Sequence, residues 1–437
     1  MDSNDWLHGF RHSSPYINAH RGRTVVLSLG GEALAHGNLL HIIHDITLLS
    51  SLGVRLVLAF GARPQIRERL DRAGLPSRIE DGLRVTPEEQ MPSVIDAVGQ
   101  LRAYLESQLS MGLVNSPMHG ARIRVTSGNL IAARPVGVLN GVDFGHTGRV
   151  RRVDVAGING LLDAGHIVLL PPLGYSPTGD MFNLSYEDVG SHVAAALEAE
   201  KLIIFTGETG VLDTDGHLIR ELTVGQARQQ LHEAGMAGHA GDLLRAACDA
   251  CARGVRRSHI ISYSHDGALL EELFTRDGSG TMVSDDNYEQ IRPARVGDMG
   301  GILELIQPLE EQGILVRRSE DRLETELDRF IVVERDGSIV GCAALYAYPA
   351  DKVGELSCFA VDQQYRRSGR GDDILAMIEK MARGQGLDRL FVLTTQTEHW
   401  FRERGFVPSR VDELPGPKYE GYDSQRNSKV FVKALGQ

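Results

Sequence analysis

Short apolar runs alternate with stretches of helical spacing over the first two thirds of the chain. The runs are Thr24-Val25-Val26-Leu27-Ser28-Leu29, Arg55-Leu56-Val57-Leu58-Ala59-Phe60, Ile167-Val168-Leu169-Leu170, Leu202-Ile203-Ile204-Phe205 and His259-Ile260-Ile261-Ser262. Helical patterns separate them, notably over 38–52, 189–199 and 242–252. Strands that alternate with helices predict a mostly parallel sheet covered on both faces. Ligands of such sheets sit at the carboxyl ends of strands. Glycines stand there in this chain, Gly30-Gly31 after the first run and Gly61 after the second. Residues 1–21 form a polar arm with Trp6, Phe10 and Tyr16, a candidate docking helix.

The pattern changes near Ile291, after residues 286–291 that read as a short linker. Amphipathic stretches at 299–306 and 323–327 predict two more helices. Two apolar runs, 330–334 and 339–345, flank Asp336-Gly337, a strong hairpin signal. Further strands are expected at 355–361 and 390–393. The unit predicted over 292–437 is a mainly antiparallel sheet with helices. Its densest chemistry follows Val361: Arg366, Arg367, Ser368, Gly369, Arg370 and Gly371 lie between a strand and a helical pattern of Ile374, Leu375, Ile378, Met381 and Ala382. Such a turn aims backbone N–H groups and the positive end of a helix at an anion such as pyrophosphate. Glycine lets the backbone come close. The bland alternative is a surface turn with solvated arginines.

Composition narrows the classes. A chain of 437 residues suits two or three domains. With 42% hydrophobic and 24% charged residues it reads as soluble and globular. A net charge of −12 argues against a broad nucleic-acid surface. No apolar run reaches membrane-spanning length, and the first residues lack a signal-peptide core. Four cysteines make no disulfide framework, so a reducing cytoplasm is expected. Cys248 and Cys251 fall at helical spacing with Leu244, Ala247 and Val255 and read as core. A metal site would need a second ligand pair. His41 and His44 lack the acid that a helical metal motif carries. No metal is expected.

The spacing Arg366-x-x-Gly369-x-Gly371, between strand and helix, resembles the acetyl-CoA signature of the GNAT acetyltransferases. The resemblance implies acetyl-CoA as co-substrate, held by Cys358, Phe359, Val361, Arg366, Arg367, Ser368, Gly369, Arg370 and Gly371. It also implies acetyl transfer from a thioester to an amine. Such chemistry needs a base for the amine proton and a partner for the departing thiolate. Glu355, on the strand before the loop, is the candidate base, with a solvated strand-end acid as its plain alternative. Thr394 or Thr395 can hydrogen-bond the sulfur or cap the helix at Trp400. Leu315, Arg317, Arg318, Arg426 and Ser428 suit an acceptor with two carboxylates, because guanidinium grips carboxylate bidentately. Arginines that merely balance surface acids are the alternative.

Residues 22–285 resemble the amino-acid kinase family, most closely the acetylglutamate kinases. The matching segments are Leu29-Gly30-Gly31, Gly61-Ala62-Arg63-Pro64, Gly82-Leu83-Arg84-Val85-Thr86, Phe182-Asn183-Leu184 and 273–281. Ser28 stands where those kinases carry lysine, and the helix around Asp242 lacks their second phosphate-binding lysine. Phosphoryl transfer depends on such cations, so the fold is expected without the chemistry. Glu272, Gly278 and Gly280 resemble the arginine-site signature of arginine-sensitive members. Their N-terminal helix closes over the site with a tyrosine, here Tyr16, and joins dimers into a hexamer. A kinase-like region followed by a GNAT region, with matching segments at 309–317, 354–358, 394–397 and 425–429, resembles the bacterial N-acetylglutamate synthases. Gln396 sits where many of them carry arginine and is given no role. The resemblance implies an α/β fold: a mostly parallel kinase-like domain, then a mixed α/β GNAT domain. It implies acetyl transfer from acetyl-CoA to the α-amine of L-glutamate, the entry to arginine synthesis, with feedback by L-arginine and a homo-hexameric assembly. Two other readings are an active acetylglutamate kinase, opposed by Ser28, and a regulatory arginine-binding subunit, opposed by Glu355 and the phosphate loop.

Overall fold

The computed structural model describes residues 3–111, 118–233, 238–275, 278–285, 289–335, 338–362, 370–424 and 426–435. The chain divides into two units, Met1–Asp286 and Asn287–Gln437. Among the described residues, no helix is long and apolar enough to cross a membrane.

The first unit is built on eight strands: β1 (Thr24–Leu29), β2 (Arg55–Phe60), β3 (Arg124–Thr126), β4 (His166–Leu170), β5 (Lys201–Thr206), β6 (Glu221–Thr223), β7 (Arg257–Ser262) and β8 (Thr281–Ser284). Their spatial order is β6-β8-β7-β5-β1-β2-β4-β3. Every neighbouring pair is parallel except β7 with β8. Successive side chains of a strand face opposite layers, which explains the unbroken apolar runs. Val25, Leu27 and Leu29 join one core with Ile43 and Ile46. Val26 joins the other with Val189 and Val193. The first layer includes α2 (Leu39–Ser51), the second α3 (Tyr186–Ala196) and α4 (His239–Ala252). Helix α3 starts three residues before the expected 189 because the Ser185 hydroxyl accepts from Asp188 N and caps it. Cys248 and Cys251 are buried on α4. A smaller four-stranded sheet, Ile131–Pro135, Gly148–Val153, Leu173–Tyr175 and Met181–Asn183, was not foreseen, since its strands are short and weakly patterned.

The second unit has one sheet: β9 (Glu289–Pro293), β10 (Phe330–Arg335), β11 (Ser338–Tyr348), β12 (Val353–Val361), β13 (Arg389–Thr394), β14 (Val407–Ser409) and β15 (Lys429–Ala434), ordered β9-β10-β11-β12-β13-β15-β14. It is antiparallel except between β12 and β13. The expected linker 286–291 overlaps β9, whose Glu289, Gln290 and Ile291 pair with Arg335, Glu334 and Val333. The polar start of this edge strand disguised it. The expected helix 323–327 is a single turn and a half, Glu320–Thr325, capped by Ser319, and Leu327–Arg329 tightens into a 3-10 turn. The turn Asp336-Gly337 lies outside the described residues. Helix α6 (Met299–Glu311) packs Ile302 and Ile306 on one sheet face with Phe330 and Val332. Helix α7 (Arg370–Gly384) packs Ile374 and Ile378 on the other with Ile331 and Val333.

The N-terminal arm forms α1 (Ser3–His20) and meets α5 (Ala268–Phe274) of its own chain. His20 Nε2–H donates to the Leu273 carbonyl at 2.9 Å, and its ring meets Phe274 edge-on with centroids 6.0 Å apart. His20 Nδ1 is buried without a partner, so a proton there would be a donor with no acceptor. Burial first, then the Lys201 cation, lower the His20 pKa from 6.5 to about 4. The docked arm therefore gains stability from neutral His20 that is present above pH 6.5 and lost as the pH falls towards 4. Amide hydrogen exchange in α1, corrected for intrinsic rates, is expected to lose protection across that window, and His20→Gln to flatten the dependence. Equal protection at both ends of the window in the native chain would refute the contribution.

Candidate functional site

The site in the second unit begins where the sheet opens. Strands β12 and β13 pair in parallel from Val353–Arg389 to Leu356–Val392. Beyond that, β12 continues to Val361 against β11, and β13 to Thr394 against β15. The two strands thus part towards their carboxyl ends. Strand β12 also carries a bulge. Its register against β11 shifts between Cys342 and Ala344, and Cys358 there has φ +49. A residue with a Cβ rarely adopts that left-handed backbone, and it turns the strand out of its ladder. Burial pushes the Cys358 thiol up to about 11, so it is protonated at neutral pH.

Glu355 lies on the last paired stretch, opposite Phe391, and is only 5% exposed. Its Oε1 is 2.6 Å from Lys418 Nζ, and its Oε2 accepts from the Tyr348 hydroxyl at 3.4 Å. Ser357, two residues along, shares its face of the strand. Arg318 Nη2 donates to the Ser357 hydroxyl at 3.0 Å, and Nη1 to the Val316 carbonyl at 3.1 Å. Arg317 is exposed, so of the two neighbours it is Arg318 that reaches β12. Arg426 Nη2 donates to the Ile314 carbonyl, tying the start of β15 to the segment that carries Leu315 and Arg318. Ser428 is buried, and its carbonyl accepts from Tyr422 at 2.8 Å. Arg318 is thus tied to β12 through Ser357, and Arg426 to the segment that carries Arg318, while Arg317 is exposed.

Of the residues expected to hold the co-substrate, Arg366, Arg367, Ser368 and Gly369 lie outside the described residues. Arg370, buried, and Gly371 open α7. A Cβ on Gly371 would stand 2.8 Å from Trp400 Cζ2, so only glycine lets the helix start touch the indole. Phe359 stacks on Trp400 with centroids 5.0 Å apart. Arg404 lies over the indole, 4.0 Å from its centroid, and pairs with Asp372 at 2.5 Å, which ties it to the first turn of α7. Val361 ends β12 just before the loop. Thr394 Oγ1 accepts from Thr397 N at 3.0 Å and meets Thr397 Oγ1 at 2.8 Å. Its hydroxyl is thus engaged in the turn into α8 (Glu398–Glu403), while Thr395 is exposed.

In the first unit, Tyr186 packs against the glycine turns at the ends of β1 and β2 and lines a pocket there with Gly61, Arg63, Arg84 and Asn183. A Cβ on Gly61 would lie 2.6 Å from Tyr186 Cδ1, and one on Gly30 would lie 2.9 Å from the Tyr186 hydroxyl. Ser28 is 1% exposed and faces α3, where a Cβ on Gly190 would fall 2.0 Å from its Oγ. A serine, a phenol and no lysine occupy the place expected to hold phosphate. Arg63 Nη1 is instead held by buried Glu187 at 3.3 Å.

Glu272 is also inward. His259 Nδ1 is 2.5 Å from Oε1, and the N–H groups of Ser279 and Gly280 donate to Oε2 at 2.5 and 3.0 Å. Burial raises its pKa, but His259 and those donors outweigh it and bring it down to about 2. Burial and Lys201 lower His259 to about 4, so at neutral pH the contact is a hydrogen bond from a neutral imidazole. Lys201 Nζ lies 3.4 Å from His259 Nε2, and burial and Arg257 push it down to about 7. Glu272 was expected to present a carboxylate to a guanidinium. In this state it is saturated by its own chain and orders the turn at Gly278, where φ is +63. Gly280 approaches the Ile260 carbonyl so closely that a Cβ would sit 2.1 Å from it. Tyr16 stands one turn before His20 on α1, the helix that meets α5. Sequence reasoning did not find Lys418, Tyr348, Tyr186, Lys201 or His259. Lys201 alone left a trace, as a charged residue opening an apolar strand.

The profile of the amino acid kinase family matches residues 23–262, and that of the acetyltransferase (GNAT) family matches residues 301–406. An amino-acid acetyltransferase of Pseudomonas syringae pv. syringae is 56% identical over 431 residues, 99% of this chain and 100% of its own length. That of Pseudomonas putida strain GB-1 is likewise 56% identical over 431 residues, covering 99% of this chain and 100% of its own length. A crystal structure of N-acetylglutamate synthase from Neisseria gonorrhoeae, complexed with coenzyme A and L-arginine, superposes with a TM-score of 0.89 at 38% identity over 99% of each chain. The same enzyme complexed with coenzyme A and N-acetyl-glutamate gives a TM-score of 0.63 at 39% identity, again over 99% of each. With its kinase-type sheet, its GNAT unit and an acetyl-CoA-dependent transferase chemistry, this chain belongs to the amino-acid acetyltransferases of the N-acetylglutamate synthase family.

Proposed function

We propose that this chain transfers acetyl from acetyl-CoA to the α-amine of L-glutamate, giving N-acetylglutamate and CoA, and that L-arginine inhibits it through the first unit. Glutamate acetylation opens arginine synthesis, so feedback by the end product is a coherent role for a kinase-type unit without kinase chemistry. The chain works in the cytoplasm as a homo-hexamer. One observation carries the catalytic part: a shielded carboxylate, Glu355, where β12 and β13 part, with Arg318 held by Ser357 two residues along the same strand and Arg426 bonded to the Ile314 carbonyl of the segment that carries Arg318. Arg318 and Arg426 take the two carboxylates of glutamate and reject shorter or neutral acceptors. Glu355 accepts the proton of the α-ammonium, and the neutral amine attacks the thioester carbonyl held at the bulge. The C–S bond breaks and CoA leaves as thiol. The N–H groups at the start of α7 hold the pyrophosphate.

For regulation, the cluster of Glu272, His259 and Lys201 beside α1 supports an arginine site, because it places a carboxylate and a buried cation within one ligand's length. Bound arginine must replace the His259 or backbone donors of Glu272. Its effect on catalysis requires different affinity for two states, typically ~1–3 kcal/mol of coupling.

Glu355→Gln is expected to lower kcat by ~10²–10⁴-fold while leaving the acetyl-CoA KM near its native value. Unchanged turnover across pH would remove Glu355 from the mechanism. Arg318→Lys keeps the charge and loses the fork, so the glutamate KM should rise by about tenfold with the acetyl-CoA KM steady. Parallel rises in both constants would mark Arg318 as structural. Glu272→Gln should weaken arginine binding by calorimetry at least about tenfold, since a charged hydrogen bond of ~1.5–3 kcal/mol is lost, with basal acetyl transfer retained. Native affinity in that variant would place the arginine site elsewhere.

A further inference from the structure

We propose that Lys418 is an internal acceptor: with acetyl-CoA bound and the amino-acid site empty, the enzyme acetylates its own Lys418 Nζ. The inference rests on the reading of Glu355 as base. Lys418 Nζ is 2.6 Å from Glu355 Oε1, which is where the ammonium of a substrate must come to lose its proton. The lysine side chain is 28% exposed and the glutamate 6%, so the contact is largely shielded from water.

The placement is built into the fold. Lys418 lies on α9 (Gly416–Glu420), between two anchors. On one side Leu414 is buried with Val353, Phe391 and Val430. On the other Tyr422 donates to the Ser428 carbonyl at 2.8 Å. The backbone N–H of Lys418 itself bonds the Pro415 carbonyl at 2.9 Å. The stem therefore descends from a fixed segment onto the buried acid.

The residue type matters as much as its position. The chain has 46 basic residues, of which six are lysines and forty arginines. Arginine would supply the same positive charge to Glu355, but it does not lose its proton in proteins. Lysine does, and its free amine is a nucleophile.

The step balances without any further reagent. Lys418 Nζ–H₃⁺ gives one proton to Glu355. The neutral amine adds to the thioester carbonyl carbon, and the C–S bond breaks. The second N–H proton passes to the departing thiolate, and Glu355 returns its proton to solvent. The products are N-ε-acetyl-lysine, CoA and a proton. Glutamate competes, because its α-ammonium must displace Nζ from the same carboxylate. Acetylation removes the Lys418 charge and ends the ion pair for good.

The test uses the full chain with isotopically labelled acetyl-CoA, with and without saturating glutamate. Peptide mass spectrometry then reads the label on every lysine, while CoA and N-acetylglutamate are measured in parallel. Without glutamate, label is expected at Lys418 at close to one per chain, well above exposed Lys352 and Lys429. Glutamate should suppress it, and Glu355→Gln should slow it by ~10²–10⁴-fold. Lys418 left unlabelled while the same sample acetylates added glutamate would overturn the inference and leave the role of Glu355 standing. Label spread evenly over the exposed lysines would overturn it as well. Glutamate acetylation at native rate in Glu355→Gln would instead bring down the base assignment beneath it.

Discussion

One parallel pairing inside an otherwise antiparallel sheet governs the catalytic unit. Strands β12 and β13 run the same way, so the chain between them must cross back over the sheet. Helix α7, which starts at Arg370, lies on that crossover. A helix N-terminus on such a crossover is a general place for an anionic tail. The ladder stops after Leu356–Val392, and the bulge at Cys358 bends β12 aside. An opening at that end, with Glu355 at its root, follows from those two facts.

Side chains from distant segments then tie the unit together. Arg318 comes from the segment after α6, Arg426 from the approach to β15, and Lys418 from α9. Each is held by a partner of its own: the Ser357 hydroxyl, the Ile314 carbonyl and the Glu355 carboxylate. The aromatic stack of Phe359, Trp400 and Arg404 braces the far side and needs a glycine at 371 to close. Polar contacts hold these segments, and aromatic packing positions the start of α7.

The first unit keeps the amino acid kinase fold with a serine at position 28. Its strands are stabilised by burial on both faces, which needs no lysine at 28. Tyr186 lies against the two glycine turns and forms one wall of the pocket there. The unit's buried polar contacts have gathered instead at Glu272, His259 and Lys201, on the side where α1 meets α5. A buried carboxylate persists there because four hydrogen-bond donors offset its desolvation.

The sequence by itself determined the two architectures, with strand β12 and helix α7 in their expected order along the chain. Those features are local: period, turn residues and motif spacing are all written within a dozen positions. Only the tertiary structure decided between Arg317 and Arg318, because two adjacent residues are distinguished by which one reaches Ser357. Only it placed Lys418 on Glu355, sixty-three residues apart in sequence, and Tyr186 over Gly30 and Gly61. It turned Thr394 into the helix entry and Glu272 into the protein interior, where spacing alone had left them open to ligands. It found β9 where polar residues had looked like a linker, since an edge strand is defined by its backbone partner rather than by its own side chains. Local periodicity carries no information about which distant groups will satisfy a buried charge; that is settled when burial forces each polar atom to find a partner.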